Sequence, residues 1–101
     1  MTAELKIGSP APDFAAEDQY CNQVRLAAYK GVKSVLLIFY DFDWHSICGI
    51  LLTEIQRNLS FFDKSGIQVM AASLDSVYSH RAWAAKLGLV FPLLSDFIRD
   101  I

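Results

Sequence analysis

The chain has 101 residues, a formal net charge of −2 and 53% hydrophobic residues. That length sets one small domain, and the apolar content excludes a disordered polypeptide. Scattered Lys and Arg leave no basic footprint for nucleic acid, and the longest apolar run, Val35 to Tyr40, is far too short to span a bilayer.

In chain order, Met1 to Lys6 has no apolar signal segment, so the sequence points to a cytoplasmic protein. Pro10 and Pro12 make the next stretch extended rather than helical. Asp18-Gln19-Tyr20-Cys21-Asn22-Gln23 reads as a turn between two short strands, Phe14–Ala16 and Gln23–Arg25. Leu26 to Tyr29 forms one helical turn, ended by Lys30-Gly31. Ser34 to Tyr40 is an apolar run of β-formers, expected as a parallel strand covered on both faces. From Ser46 to about Phe62, Ile47, Leu51, Leu52, Ile55, Leu59 and Phe62 recur at helical spacing, and Lys64-Ser65-Gly66 ends the helix. Ile67 to Leu74 is the next strand. Ser79 is expected to cap a helix through Leu87, with Gly88 as its stop. Leu89 to Asp96 is a short strand, in which Pro92 suggests an edge or terminal position.

The order is a hairpin followed by β-α-β-α-β, so the fold class is α/β with right-handed crossovers. An open α/β sheet places its site at the carboxyl ends of its strands. Cys48 lies just past such an end, in the first turn of a helix, where unpaired N–H groups and the helix dipole favour the thiolate. The thiolate is the nucleophilic form, which makes Cys48 the candidate reactive residue. Cys21 lies in the predicted surface turn and is either an incidental thiol or a resolving partner for Cys48. Asp41, Asp43, His45 and Cys48 put metal-ligand types within eight positions, but they match no closed zinc pattern, and neither metal nor cofactor is expected. His80 is expected at a helix start, facing solvent or capping. Trp44 and Trp83 are expected as core or interface aromatics, and Glu54 and Arg57 as a solvated ion pair.

Four motifs then become recognisable. Gly8-Ser9-Pro10-Ala11-Pro12-Asp13-Phe14 resembles the G-x-x-A-P-D-F opening of peroxiredoxins, the alkyl hydroperoxide reductase/thiol-specific antioxidant family. The strand, turn and Cys48 are similar to that family's peroxidatic-cysteine loop. Ser73-Leu74-Asp75-Ser76 with Ser79-His80-Arg81-Ala82-Trp83, and Phe91-Pro92-Leu93-Leu94-Ser95-Asp96, are similar to two further family stretches. The resemblance covers essentially the whole chain. It implies a thioredoxin-like fold and reduction of hydroperoxides through a cysteine sulfenic acid, with an external thiol as reductant.

The chain departs from the family's P-x-x-x-[T/S]-x-x-C loop: Asp41 stands at the proline position and His45 at the threonine position, leaving only Cys48. The resemblance makes Cys48 and His45 the catalytic candidates, His45 replacing a hydroxyl that hydrogen-bonds the peroxide. The resemblance implies that the family arginine comes from a second half of the domain, which is either lost from this protein or lies outside these 101 residues, and Arg99 lies too early to be assigned the role. Without that half, Ser34–Tyr40 is expected to be an edge strand that pairs with a second copy, giving a homodimer or higher self-association. The alternative to a thiol-dependent peroxidase is a catalytically degenerate peroxiredoxin-like scaffold acting by association.

Overall fold

The computed structural model describes residues 7–96. Its elements are β1 (Ala15–Glu17), β2 (Gln23–Arg25), a 3₁₀ turn (Leu26–Tyr29), β3 (Ser34–Phe39), α1 (Ser46–Arg57), α2 (Leu59–Lys64), β4 (Ile67–Ser73), α3 (Val77–Leu87) and β5 (Leu93–Ser95). The five strands form one sheet in the order β2-β1-β5-β4-β3. β4 runs parallel to both β3 and β5, and β1 is antiparallel to β2 and β5. Arg99 and the undefined stretch from Phe97 to Ile101 lie outside the described residues.

Strand alternation divides the core in two, because successive residues point to opposite faces. Val69 and Ala71 of β4, with Leu93 of β5, face Cys48 and Leu52 of α1 and Trp83 and Ala84 of α3. Met70, Ala72 and Leu94 face the other way, with Ala16, Val24 and the partly buried Val35 and Leu37. Leu52, Met70, Leu93 and Leu94 are completely buried, each worth about 1.5–3 kcal/mol of burial free energy.

The doubly covered strand is β4, not β3. Among the described residues β3 pairs only with β4 and is the sheet's edge, as expected, but its burial alternates and Leu36 and Phe39 are exposed. An apolar run reports the capacity for burial, and the neighbour count decides whether it is used. Pro92 is correspondingly terminal but not on an edge: it precedes β5, which lies between β1 and β4, and its carbonyl accepts from the Ala71 N–H at 3.0 Å.

The helix expected from Ser46 to about Phe62 is two. Asn58, at φ −102° and ψ 15°, ends α1 and precedes α2, and its Nδ2 donates to the Glu54 carbonyl at 2.9 Å. An Asn side chain that competes for a helix carbonyl favours a break. The periodicity conceals it, since Ile55, Leu59 and Phe62 all still pack against the core. At α3 the cap is Ser76 rather than Ser79: Ser76 Oγ accepts from the Ser79 N–H at 3.2 Å. Gly88 ends α3 as expected, at φ 72°, a left-handed conformation that suits glycine. Glu54 and Arg57 form the expected exposed pair at 3.6 Å.

Candidate functional site

The loop joining β3 to α1 is held from below by buried hydrogen bonds. The Tyr40 N–H continues the β3 ladder to the Ala72 carbonyl at 3.0 Å. Its hydroxyl then donates to Asp43 Oδ1 at 2.6 Å, and the Asp43 N–H donates to Asp75 Oδ2 at 2.6 Å. Asp43 Oδ2 lies 2.7 Å from His80 Nδ1, and both side chains are completely buried. His80 Nε2 faces the Leu94 carbonyl at 2.9 Å. A carbonyl only accepts, so Nε2 carries a hydrogen. His80 thereby links the loop carboxylate to the β5 backbone through its two ring nitrogens. Ser73 Oγ donates to Asp75 Oδ2 at 2.8 Å and Ser95 Oγ donates to the Asp75 carbonyl at 2.7 Å, tying the same network to β4 and β5.

His80 is therefore neither solvent-facing nor a cap; it is the buried post on which the loop rests. An apolar helix face was the missing signal, because His80 is the polar member of a turn that also buries Trp83 and Ala84. No local pattern marks Tyr40, Asp43 and Asp75 for this role either. Burial holds the Tyr40 phenol well above its ordinary pKa, with the hydrogen bond to Asp43 acting in the same direction.

Above this base the chain turns sharply. Trp44 has φ 69°, uncommon for a bulky residue. It is half-exposed, with Lys86 Nζ 5.8 Å from its ring centroid, so of the two expected core or interface aromatics Trp83 takes the core position and Trp44 lies at the surface of this chain. His45 follows as the N-cap of α1: its Nδ1 accepts from the Cys48 N–H at 3.4 Å, and Phe42 meets its ring edge-on, centroids 5.0 Å apart. Cys48 is the third residue of α1 and is 9% exposed, with its side chain in the cluster that includes Tyr40, Leu52 and Trp83. A groove of about 540 Å³ opens beside it, walled by Trp44, His45, Gly49, Ile50, Trp83 and Lys86. Cys48 itself does not line that groove.

The structure thus brings His45 and Cys48 together and leaves Cys21 elsewhere. Cys21 is exposed in the β1–β2 turn at φ 65°, where Arg81 Nη2 donates to its sulfur at 3.4 Å. The turn is pinned by Asp18 Oδ1, which accepts from the Tyr20 and Asn22 N–H groups, and by Arg81 Nε on the Gln19 carbonyl. Both cysteines are free thiols. The sequence cluster Asp41, Asp43, His45 and Cys48 is dispersed: Asp41 is exposed, Asp43 turns inward to His80, and His45 turns to the helix. Asp43, Asp75 and His80 do converge within 4.8 Å. Each of the three is engaged in the hydrogen bonds already described, which makes their job holding the loop.

Cys48 thus stands in the first turn of a helix at the carboxyl edge of a mixed α/β sheet, the edge at which such sheets carry their sites. Residues 7–101 match the model of the AhpC/TSA family, and the chain belongs to that family. It is 38% identical over 93 residues to alkyl hydroperoxide reductase E of Mycobacterium tuberculosis, covering 92% of this chain and 61% of that protein. With a chloroplastic 2-Cys peroxiredoxin of Spinacia oleracea the identity is 39% over 105 residues, covering 94% and 40%. The reduced 2-Cys peroxiredoxin of Plasmodium vivax superposes with a TM-score of 0.85 at 30% identity, over 94% of this chain and 65% of that one. The chain therefore spans roughly half the length of the curated relatives it matches.

Proposed function

We propose that the chain is a thiol-dependent peroxidase that reduces hydroperoxides. The observation that carries this reading is the placement of Cys48 in the first turn of α1, just beyond the carboxyl end of β3; the resemblance of the loop to the family's makes it the candidate peroxidatic cysteine. The Cys48 thiolate attacks the terminal oxygen of the peroxide. The O–O bond breaks, Cys48 becomes a sulfenic acid, and the departing alkoxide or hydroxide takes up a proton. An external thiol condenses with the sulfenic acid, releasing water, and a second thiol reduces the resulting mixed disulfide. His45, at the family's threonine position, is the candidate partner for the peroxide. Cys21 is the candidate resolving thiol if the cycle closes within the protein. A reducing cytoplasmic setting suits two unpaired cysteines.

The reading includes a homodimer, supported by the apolar side chains left exposed on β3 and α1: Phe39, Ile47, Ile50 and Leu51. The same exposure supports the second reading, a non-catalytic scaffold. Intact-mass spectrometry of the reduced protein after a brief hydrogen peroxide pulse, with a sulfenic-acid trap, separates the two. Peroxidase chemistry gives one trapped adduct at Cys48 and none in Cys48→Ser. Labelling no faster than that of free cysteine removes the enzyme reading and leaves the scaffold.

A further inference from the structure

The backbone N–H of Cys48 is capped by a ring nitrogen rather than by an oxygen. The first N–H groups of a helix have no carbonyl one turn back, and the Cys48 N–H is one of them. His45 Nδ1 takes that donor at 3.4 Å, while the next N–H, of Gly49, already has the His45 carbonyl at 2.9 Å. A ring nitrogen that accepts must keep its lone pair free, so the capped arrangement requires the imidazole tautomer with its hydrogen on Nε2. Ser, Thr, Asn and Asp, the common caps, remain acceptors throughout the neutral range. Histidine stops accepting at Nδ1 once it binds a second proton, and its ordinary titration falls between pH 5 and 8. The new charge would also stand at the positive end of the helix dipole. Both effects act against the capped state.

The charged and titratable surroundings leave the gate to His45. On its own loop, Asp41 is exposed and Asp43 is committed to Tyr40 and His80. From α1, Glu54 and Arg57 share the groove but pair with each other, and from α3, Lys86 lies over Trp44. The Cys48 thiol is the remaining titratable group at the turn. Among the described residues no carboxylate forms an ion pair with His45 to hold an imidazolium in place.

We propose that His45 is a proton-gated N-cap: neutral, it positions the first turn of α1 and so Cys48; protonated, it releases the Cys48 amide. The consequence for peroxide reactivity rests on the proposed function, whereas the gate itself does not. It is a positioning role, tested by hydrogen-exchange protection of the Cys48 amide, corrected for intrinsic exchange, from pH 8 to pH 5 in reduced protein. Wild type should lose about fivefold protection on acidification, the worth of one N-cap. His45→Asn, an acceptor that does not titrate, should hold its protection across the range, and His45→Ala should be low throughout. Constant protection in wild type, or the same acid loss in His45→Asn, overturns the proposal. Peroxide trapping on the same samples keeps the two ideas apart: an unreactive Cys48 with a pH-dependent amide sinks the peroxidase and retains the gate.

Discussion

Burial gives Tyr40 two duties that its sequence position does not announce. It packs its ring against Trp83, centroids 5.6 Å apart, and donates its hydroxyl to a carboxylate. The folded protein therefore holds the phenolic proton to higher pH than the unfolded chain, which releases it near pH 10. The associated stability is complete below pH 10 and is lost as the pH rises, by up to about 1.4 kcal/mol per unit. Urea unfolding at pH 9 and pH 11 should show that loss in wild type, and Tyr40→Phe should flatten it. The variant also leaves Asp43 Oδ1 without its donor, at about 1–3 kcal/mol at either pH. Equal pH slopes in the two proteins would separate Tyr40 from the alkaline transition. His80 shows the same principle: a histidine in a helix is read as polar until the structure supplies a carboxylate and a carbonyl for its two nitrogens.

At the scale of elements, the starts of the helices shape the candidate site. α1 begins where His45 supplies its ring nitrogen, and α3 begins where Ser76 Oγ receives the Ser79 N–H. The start of α3 matters to the site because its first turns carry His80, which supports the loop through Asp43. Ser76→Ala should cost about 1 kcal/mol, read as a lowered midpoint in urea. Ser79→Ala should leave the midpoint nearly unchanged as far as capping is concerned; the reverse ranking would return the cap to Ser79. Most elements were legible from periodicity and turn residues. The break at Asn58 was not, because the apolar face continues through it. Nor could the sequence distinguish two serines three residues apart as caps, a choice that depends on where the chain leaves β4.

For the whole molecule, the unresolved pressure is the apolar surface beside the Cys48 helix. β3 has one hydrogen-bonded neighbour among the described residues and shows Phe39 to solvent, while α1 shows Ile47, Ile50 and Leu51. Exposed apolar side chains and an open strand edge favour association. Sedimentation velocity should find a dimer whose population falls when Phe39 and Ile50 are each replaced by Lys. A monomer at all concentrations would argue that these side chains serve something other than self-association.

The sequence by itself determined the α/β order, the parallel strands, the position of Cys48 at a helix start and the family, because each rests on local periodicity or on short motifs. It also placed His45 next to the thiol in the chain. Only the tertiary structure decided which strand is central, that His80 is a buried support, that Asp43 and His45 turn to different partners, and that Cys21 is held by Arg81. Those outcomes depend on residues 37 to 62 positions apart meeting across the sheet, and no local pattern encodes which polar groups will find one another once water is excluded.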